Sequence, residues 1–428
     1  MLQLKNLSSV IKDRFYKNSS TYQKNVILIN RILILFGGGV FIENKKMCAN
    51  IFIIAVLVAA MFLSAGCTSN TTDTSQKTMK ITDSLGREVT VPVNPTKVIC
   101  SGSGCLRYLT YLQAHDKIVG VDDIEKGTSM FDARPYAIAN RQFRNYPIFG
   151  EFRGKDDPEK MIALNPQIIF KVQTTIEDAD KLQTKTGIPV VALNYGDLGK
   201  NRSEMYKTWR IMAKIMNKEA RAEEVISFFD KEIKDLNNRT KDVPESQRKS
   251  VYIGGVARAG PHGFHSTEPG YPPFIFVNAN NVASALGGQG TEVAKEKIVE
   301  WDPDILFVDI STTQLETDTA IDELKKDSAY KKLSAVKSGE VYAVIPYNWY
   351  NANQGSVLAD AYFVGKVIYP EKFLDIDPVK KADEIYTFLL GKAVFSELNS
   401  EFYNLGFKKL DIWCLANLDI FIFLQRGE

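Results

Sequence analysis

The stretch from Asn217 to Asn238, NKEARAEEVISFFDKEIKDLNN, decides how the rest of the chain is read. Ala222, Val225, Ile226, Phe229, Ile233 and Leu236 recur at steps of three and four, with charged residues between them, so the segment reads as an amphipathic helix. Asn217 is the expected N-cap, Glu219, Glu223 and Glu224 fall in the first turns, and Asn237-Asn238 closes the run. About twenty residues at about 1.5 Å each make a rod of roughly 30 Å, the width of a small domain. Such a rod is either a strut between two bodies or a surface helix within one.

The flanking sequence favours the strut. Before it stands DDPEKMIALNPQIIFKV (Asp156 to Val172) and after it EVAKEKIVEWDPDILFVDI (Glu292 to Ile310). Each is a short amphipathic helix, an Asn-Pro or Asp-Pro break, and an apolar strand, expected over Gln167 to Val172 and Asp304 to Asp309. Proline cannot continue the helix and biases its predecessor away from helical dihedrals, so each segment is the helix-to-strand half of a βαβ unit. Its recurrence on both sides of one long helix predicts two Rossmann-like α/β lobes, over 97–216 and 248–376, joined by a linking helix over 217–238. Terminal helices are expected over 377–412, and 413–428 is an atypical apolar tail.

Composition narrows the function classes. The 428 residues hold 53 basic and 51 acidic side chains, so a net charge of +2 gives no electrostatic case for a nucleic-acid partner. Five scattered cysteines are too few for a disulfide scaffold, and Cys100 and Cys105 are expected as buried thiols, with a disulfide as the alternative.

Lys45-Lys46, the apolar run Asn50 to Leu63 and Ser64-Ala65-Gly66-Cys67 have the basic, apolar and small parts of a secretory signal, and the run is too short to favour a membrane span. Residues 47–66 therefore read as a signal peptide and 67–79 as a polar tether. Residues 1–46 read as an upstream extension of the frame that is not made, or otherwise as a second membrane segment. Leu63 to Cys67 resembles the lipobox of prokaryotic lipoproteins, which implies that Cys67 is lipidated and anchors the protein outside the cell membrane.

Lys80 to Val93 alternates like a hairpin, and Lys97 to Asp122 opens with a strand, a Ser101-Gly102-Ser103-Gly104 turn, a helix over Cys105 to Gln113 and a second strand over Lys117 to Asp122. That turn can cradle an anion but has neither the P-loop lysine nor a dinucleotide fingerprint. The order of KVI, LRYLTYLQAHDKIVGVDD, DPEKMIALNPQIIF, GIPVVALN, the long helix, SVYIGGV, the repeated helix-Pro-strand unit and ADAYFVGKVIYPEKF resembles the iron-siderophore, haem and vitamin B12 substrate-binding proteins of ABC importers. The resemblance runs from Lys97 to Phe373. It implies two lobes that clamp a metal chelate and hand it to permease subunits, with no cofactor and no catalysis. It also implies that Glu159 and Glu296, which sit at the same point of the repeat, dock onto arginines of the permease.

A cleft that holds a bulky anionic chelate and releases it uses aromatic faces and a few cations. GVARAGPHGFHSTEPGYPPF (Gly255 to Phe274) begins at a strand end and offers Arg258 for a carboxylate or phosphate and Tyr271 for stacking. His262 and His265 can ligate a metal, with Glu268 as a third donor, or act as simple hydrogen-bonders; a loop gives them no fixed face. Trp349 and Tyr350 follow a strand of the same lobe, and Arg107, Tyr146 and Tyr195 are the candidates from the first. Two other readings compete: a receptor for a bare metal ion or oxyanion, and an exported α/β enzyme. The second lacks a Gly-x-Ser-x-Gly elbow and a His-Glu-x-x-His helix, and three histidines leave few general bases.

Overall fold

The computed structural model describes residues 77–127, 130–288 and 290–413. The extension over 1–46, the signal, Cys67 and the apolar tail beyond Trp413 lie outside them. The described residues form one compact unit, built as two α/β lobes.

The chain enters through a hairpin, β1 (Thr78–Thr82) and β2 (Glu88–Pro92), which buries Ile81, Val89 and Val91. In the first lobe, β3 (Val98–Ser101) is followed by the short β4 (Val121–Asp122), β5 (Ile148–Glu151), β6 (Lys155–Asp156), β7 (Ile168–Val172) and β8 (Val190–Leu193). The sheet β3-β7-β8 is wholly parallel and its strands are buried throughout, as expected of apolar runs that helices cover on both faces. A small sheet β4-β5-β6 lies beside it. The strand expected over Lys117 to Asp122 shrinks to two residues because His115–Lys117 winds into a 3-10 turn.

The second lobe repeats the plan. It contributes β9 (Ser250–Gly254), β10 (Ser266–Thr267), β11 (Asn280–Asn281), β12 (Thr291–Glu292), β13 (Ile305–Asp309), β14 (Val341–Val344) and β15 (Lys408–Lys409). The sheet order is β11-β9-β13-β14-β15, parallel but for β15, with β10 and β12 paired apart from it. The repeated unit matches in detail. Helices Pro158–Leu164 and Lys295–Trp301 end on Asn165 and Asp302 in the left-handed conformation (φ 50° and 38°), and Pro166 and Pro303 lead into β7 and β13. Asn and Asp tolerate that conformation, which ends the helix by sterics.

The linking helix runs Glu219–Thr240, about 33 Å long. Asn217 does not cap it. At φ 55° and ψ 49° it terminates a preceding helix, Arg202–Met216, and Lys218 takes the N-cap position. An asparagine between two helices serves either end, and here the left-handed turn that reverses the chain claims it. Ala222, Val225, Ile226, Phe229 and Leu236 are buried as the stripe requires. The helix packs on Arg202–Met216 of the first lobe and on Gln354–Ile368 and Pro272–Phe276 of the second. Removing a fully buried phenylalanine such as Phe229, whose ring packs on Tyr111 and Trp209 of the first lobe, typically costs about 3–5 kcal/mol.

The terminal helices Pro378–Leu390 and Phe395–Ser400 reach both lobes, since they also touch Cys105–Tyr111 and Pro135–Ala139. Phe228 of the linking helix stacks on Phe388 at 4.0 Å, and Arg221 donates to the carbonyls of Tyr111 and Phe388. One continuous apolar core therefore crosses the junction. Cys100 and Cys105 are buried free thiols, and burial beside Cys105 pushes the Cys100 thiol well up.

Candidate ligand cleft between the lobes

The turn after β14 organises the junction. Residues 347–353 double back, with Tyr350 and Asn351 at φ 47° and 69°, a conformation that costs non-glycine residues energy unless the surroundings fix it. Asn353 supplies part of the fixing: its amide donates to the Tyr347 carbonyl at 2.8 Å and its side chain to the carbonyls of Tyr347 and Trp349 at 3.0 and 3.2 Å.

The first lobe supplies the rest through Arg107, which is fully buried on helix Cys105–Tyr111. Its Nη1 donates to Tyr195 Oη and, at 3.0 Å, to the Ala352 carbonyl; Nη2 donates to the carbonyls of Trp349 and Tyr350 at 3.2 and 3.4 Å. The guanidinium also lies over the rings of Tyr136 and Tyr195, at 5.1 and 5.7 Å. Tyr195 stacks flat on Tyr108, with centroids 4.3 Å apart, and donates to the Ala352 carbonyl at 3.0 Å. Asn351 donates to the Ser103 carbonyl at 2.6 Å, and Phe152 meets Tyr350 edge-on at 4.7 Å. The two Nη groups of Arg107 thus tie the lobes together, while its buried Nε has no partner among the described residues.

Beside this junction lies a cavity of about 700 Å³. The first lobe contributes Tyr195 and the loop Gly196 to Asn201; the second contributes Arg258, Glu268, Tyr347, Asn348 and Asn351. Arg258 projects from the end of β9, where Gly255 turns the chain at φ 76°. Its aliphatic stem runs against Gly290, where a Cβ would come within 2.6 Å of it. Arg258 and Lys200, one cation from each lobe, are exposed and have no carboxylate partner among the described residues. Glu268 accepts from Tyr347 Oη; burial pushes its pKa up and that hydrogen bond works against the shift.

Of the residues read from sequence, Tyr195 and Arg258 line the cavity. Trp349 and Tyr350 act through their carbonyls, with the Trp349 ring edge-on to Phe402 at 5.9 Å. Tyr271 is buried against Phe274 and Tyr347, behind the cavity wall. Tyr146 packs half-buried on the first lobe's core and is not on the cavity wall. His262 Nε2 bonds the Arg258 carbonyl at 2.8 Å and its Nδ1 faces Glu292 at 3.9 Å, whereas His265 Nδ1 faces Glu323 at 4.0 Å. The two histidines therefore diverge, and among the described residues no three His, Cys, Asp or Glu side chains converge as a metal site. The Ser101 to Gly104 turn already has an internal carboxyl acceptor, since the Gly102 amide donates to Asp122 at 3.0 Å. Glu159 and Glu296 are both exposed at the second position of their helices. The Gly196 to Asn201 loop went unread; its Gly-Asp-Leu-Gly-Lys-Asn composition at a strand end was the available signal.

Two α/β lobes around one continuous helix, with a cavity at their seam and a cation from each wall, define a ligand-binding protein of the clamp type. The chain belongs to the periplasmic binding protein family, whose model matches residues 98–347, and is a substrate-binding protein of the ABC-importer kind. It is 22% identical to the molybdate-binding protein MolA of Haemophilus influenzae, over 72% of this chain and 89% of that protein. It is 26% identical to the Fe(3+)-citrate-binding protein YfmC of Bacillus subtilis, over 70% and 90%. A solved periplasmic solute binding protein from Veillonella parvula shares the fold, with a TM-score of 0.61 at 19% identity over 76% of this chain and 97% of that one.

Proposed function

We propose that this chain is an extracytoplasmic lipoprotein, anchored through Cys67, that captures an anionic metal chelate between its lobes and delivers it to ABC permease subunits. The observation that carries the reading is the interlobe cavity of about 700 Å³, lined by Lys200 from the first lobe and Arg258 from the second. Sites for drug-sized ligands run about 300–1,000 Å³, whereas a five-atom oxyanion would leave most of such a space to water. The name of the Fe(3+)-citrate relative points the same way, and that of the molybdate relative supplies the competing reading. The linking helix is continuous across the junction, so closure around a ligand is a modest rocking of the lobes rather than a wide hinge.

A thermal-shift panel of ferric citrate, a ferric hydroxamate, haem, cobalamin and molybdate tests this, because a ligand that binds only the folded state raises the melting temperature. A ferric chelate is expected to do so; a response to molybdate alone sinks the chelate reading. Arg258→Ala is expected to weaken the ferric chelate that responds by about ten- to a hundred-fold, the worth of one charge-assisted hydrogen bond, and to leave unliganded stability within about 0.5 kcal/mol. Titration calorimetry on both proteins reads the difference.

Glu159 and Glu296 are proposed as the permease contacts. Each is exposed at a helix start, and neither lines the cavity. Reversing both to Lys is expected to abolish uptake by whole cells while the calorimetric affinity stays as in the wild type. Normal uptake by the double variant would remove the assignment.

A further inference from the structure

A second recess, of about 430 Å³, lies between the β1–β2 hairpin and helix Arg202–Met216. Lys80 and Glu88 line it from the hairpin, and Lys207, Arg210, Ile211 and Lys214 from the helix. The three helical cations share one face because they are spaced by three and four residues. Arg210 is held by Glu223 through two hydrogen bonds of 2.6 and 2.9 Å. Lys80, Lys207 and Lys214 are exposed and have no carboxylate partner among the described residues, and Glu88 is the one acid on the wall. The recess therefore presents three unneutralised ammonium groups around a half-polar floor. Unpaired lysines at this density on one face suit phosphate-bearing groups, which several point charges can approach at once.

The path of the chain selects the occupant. β1 starts at Thr78, and ten residues, 68–77, separate it from Cys67. Ten residues span at most about 35 Å when extended. A lipid on Cys67 thus keeps the same hairpin that forms one wall of the recess close to the membrane surface. We infer that this basic recess seats the phosphate headgroups of anionic lipids in the anchoring membrane and so orients the protein on it. The inference rests on the lipoprotein reading for its geometry, but its chemistry is testable without the anchor.

The chain from residue 67 carrying Cys67→Ser is mixed at low ionic strength with millimolar vesicles of phosphatidylcholine, alone or with an equal part of phosphatidylglycerol, and sedimented. The expected result is partition onto the anionic vesicles only. K80Q/K207Q/K214Q is expected to lower that partition about a hundred-fold, since each lysine near such a surface adds about one factor of five, with its melting temperature and its response to the ferric chelate unchanged. Equal partition of the triple variant, equal binding to both vesicle types, or no partition at all overturns the proposal. So does saturable binding of soluble glycerol phosphate without vesicle binding, which would make the recess a free-phosphate site. The mass of the Cys67 peptide from cells tests the anchor separately: an unlipidated cysteine ends the lipoprotein reading, while the sedimentation result judges the recess.

Discussion

Arg107→Ala is expected to lower unfolding free energy by about 3–5 kcal/mol and to weaken ligand binding at the same time. The guanidinium is fully buried and forms no ion pair within 4 Å among the described residues; its charge is met by three carbonyls of the opposite lobe, Tyr195 Oη and two tyrosine faces. Truncation removes charge-assisted hydrogen bonds worth about 1.5–3 kcal/mol each and opens a large cavity. The Trp349 carbonyl keeps Asn353 and the Ala352 carbonyl keeps Tyr195, which caps the loss, while the Tyr350 carbonyl keeps no other donor among the described residues. Binding suffers because the same turn carries Asn348, Asn351 and Ala352, which line the cavity. Arg107→Lys is expected to recover less than half of the loss, since a point ammonium cannot span the carbonyls that a planar fork reaches. Urea denaturation decides: a loss below about 1 kcal/mol for the alanine variant would mean that the tie is incidental.

The second large effect concerns pH. Asp309, at the end of β13, is fully buried; burial pushes its pKa up to about 7, against the pull of the Ser311 amide at 2.8 Å, and Glu268 pushes it further. Asp360 lies in the same pocket of the second lobe and is itself raised, first by burial and then by Asp309. An ordinary aspartate titrates near 3.9, so between about pH 4 and pH 7 the folded state holds a proton that the unfolded chain has released. The stabilising share of Asp309 is therefore fully present at low pH and disappears as pH rises through 7. From pH 5 to pH 7.5 the wild type is expected to lose about 2 kcal/mol more than Asp309→Asn, which keeps the acceptor for Ser311 without the charge. Parallel denaturation curves at the two pH values read this directly, and equal slopes for the two proteins would reject it. Because Glu268 and Tyr347 belong to both this pocket and the cavity wall, ligand affinity is expected to share some of the pH dependence.

Much of the architecture was legible because its causes are local. The stripe from Ala222 to Leu236 and the two helix-Pro-strand units carry their dihedral preferences and periodicity within a few residues, and both appear where expected. Asn217 shows the limit: a residue equally suited to start one helix or end another is assigned by its neighbours in space. The site was legible in part. Arg258 and Tyr195 do face the cavity, and a strand-end loop is a sound place to look. Arg107 was read as a ligand contact, whereas it is absent from the cavity wall and holds carbonyls that lie some 240 positions away along the chain.

The sequence alone determined that there are two α/β lobes, which helix separates them, and which loops sit at strand ends, because hydrophobic period, proline breaks and turn chemistry act between near neighbours. Only the tertiary structure decided which charges are spent inside the protein and which remain for a ligand. Arg107, on the helix that follows β3, and Arg258, in the loop that follows β9, are the same side chain, yet one is buried among carbonyls of the opposite lobe and the other faces an open cavity. That difference comes from desolvation and from contacts closed by packing, which depend on residues brought together from distant parts of the chain.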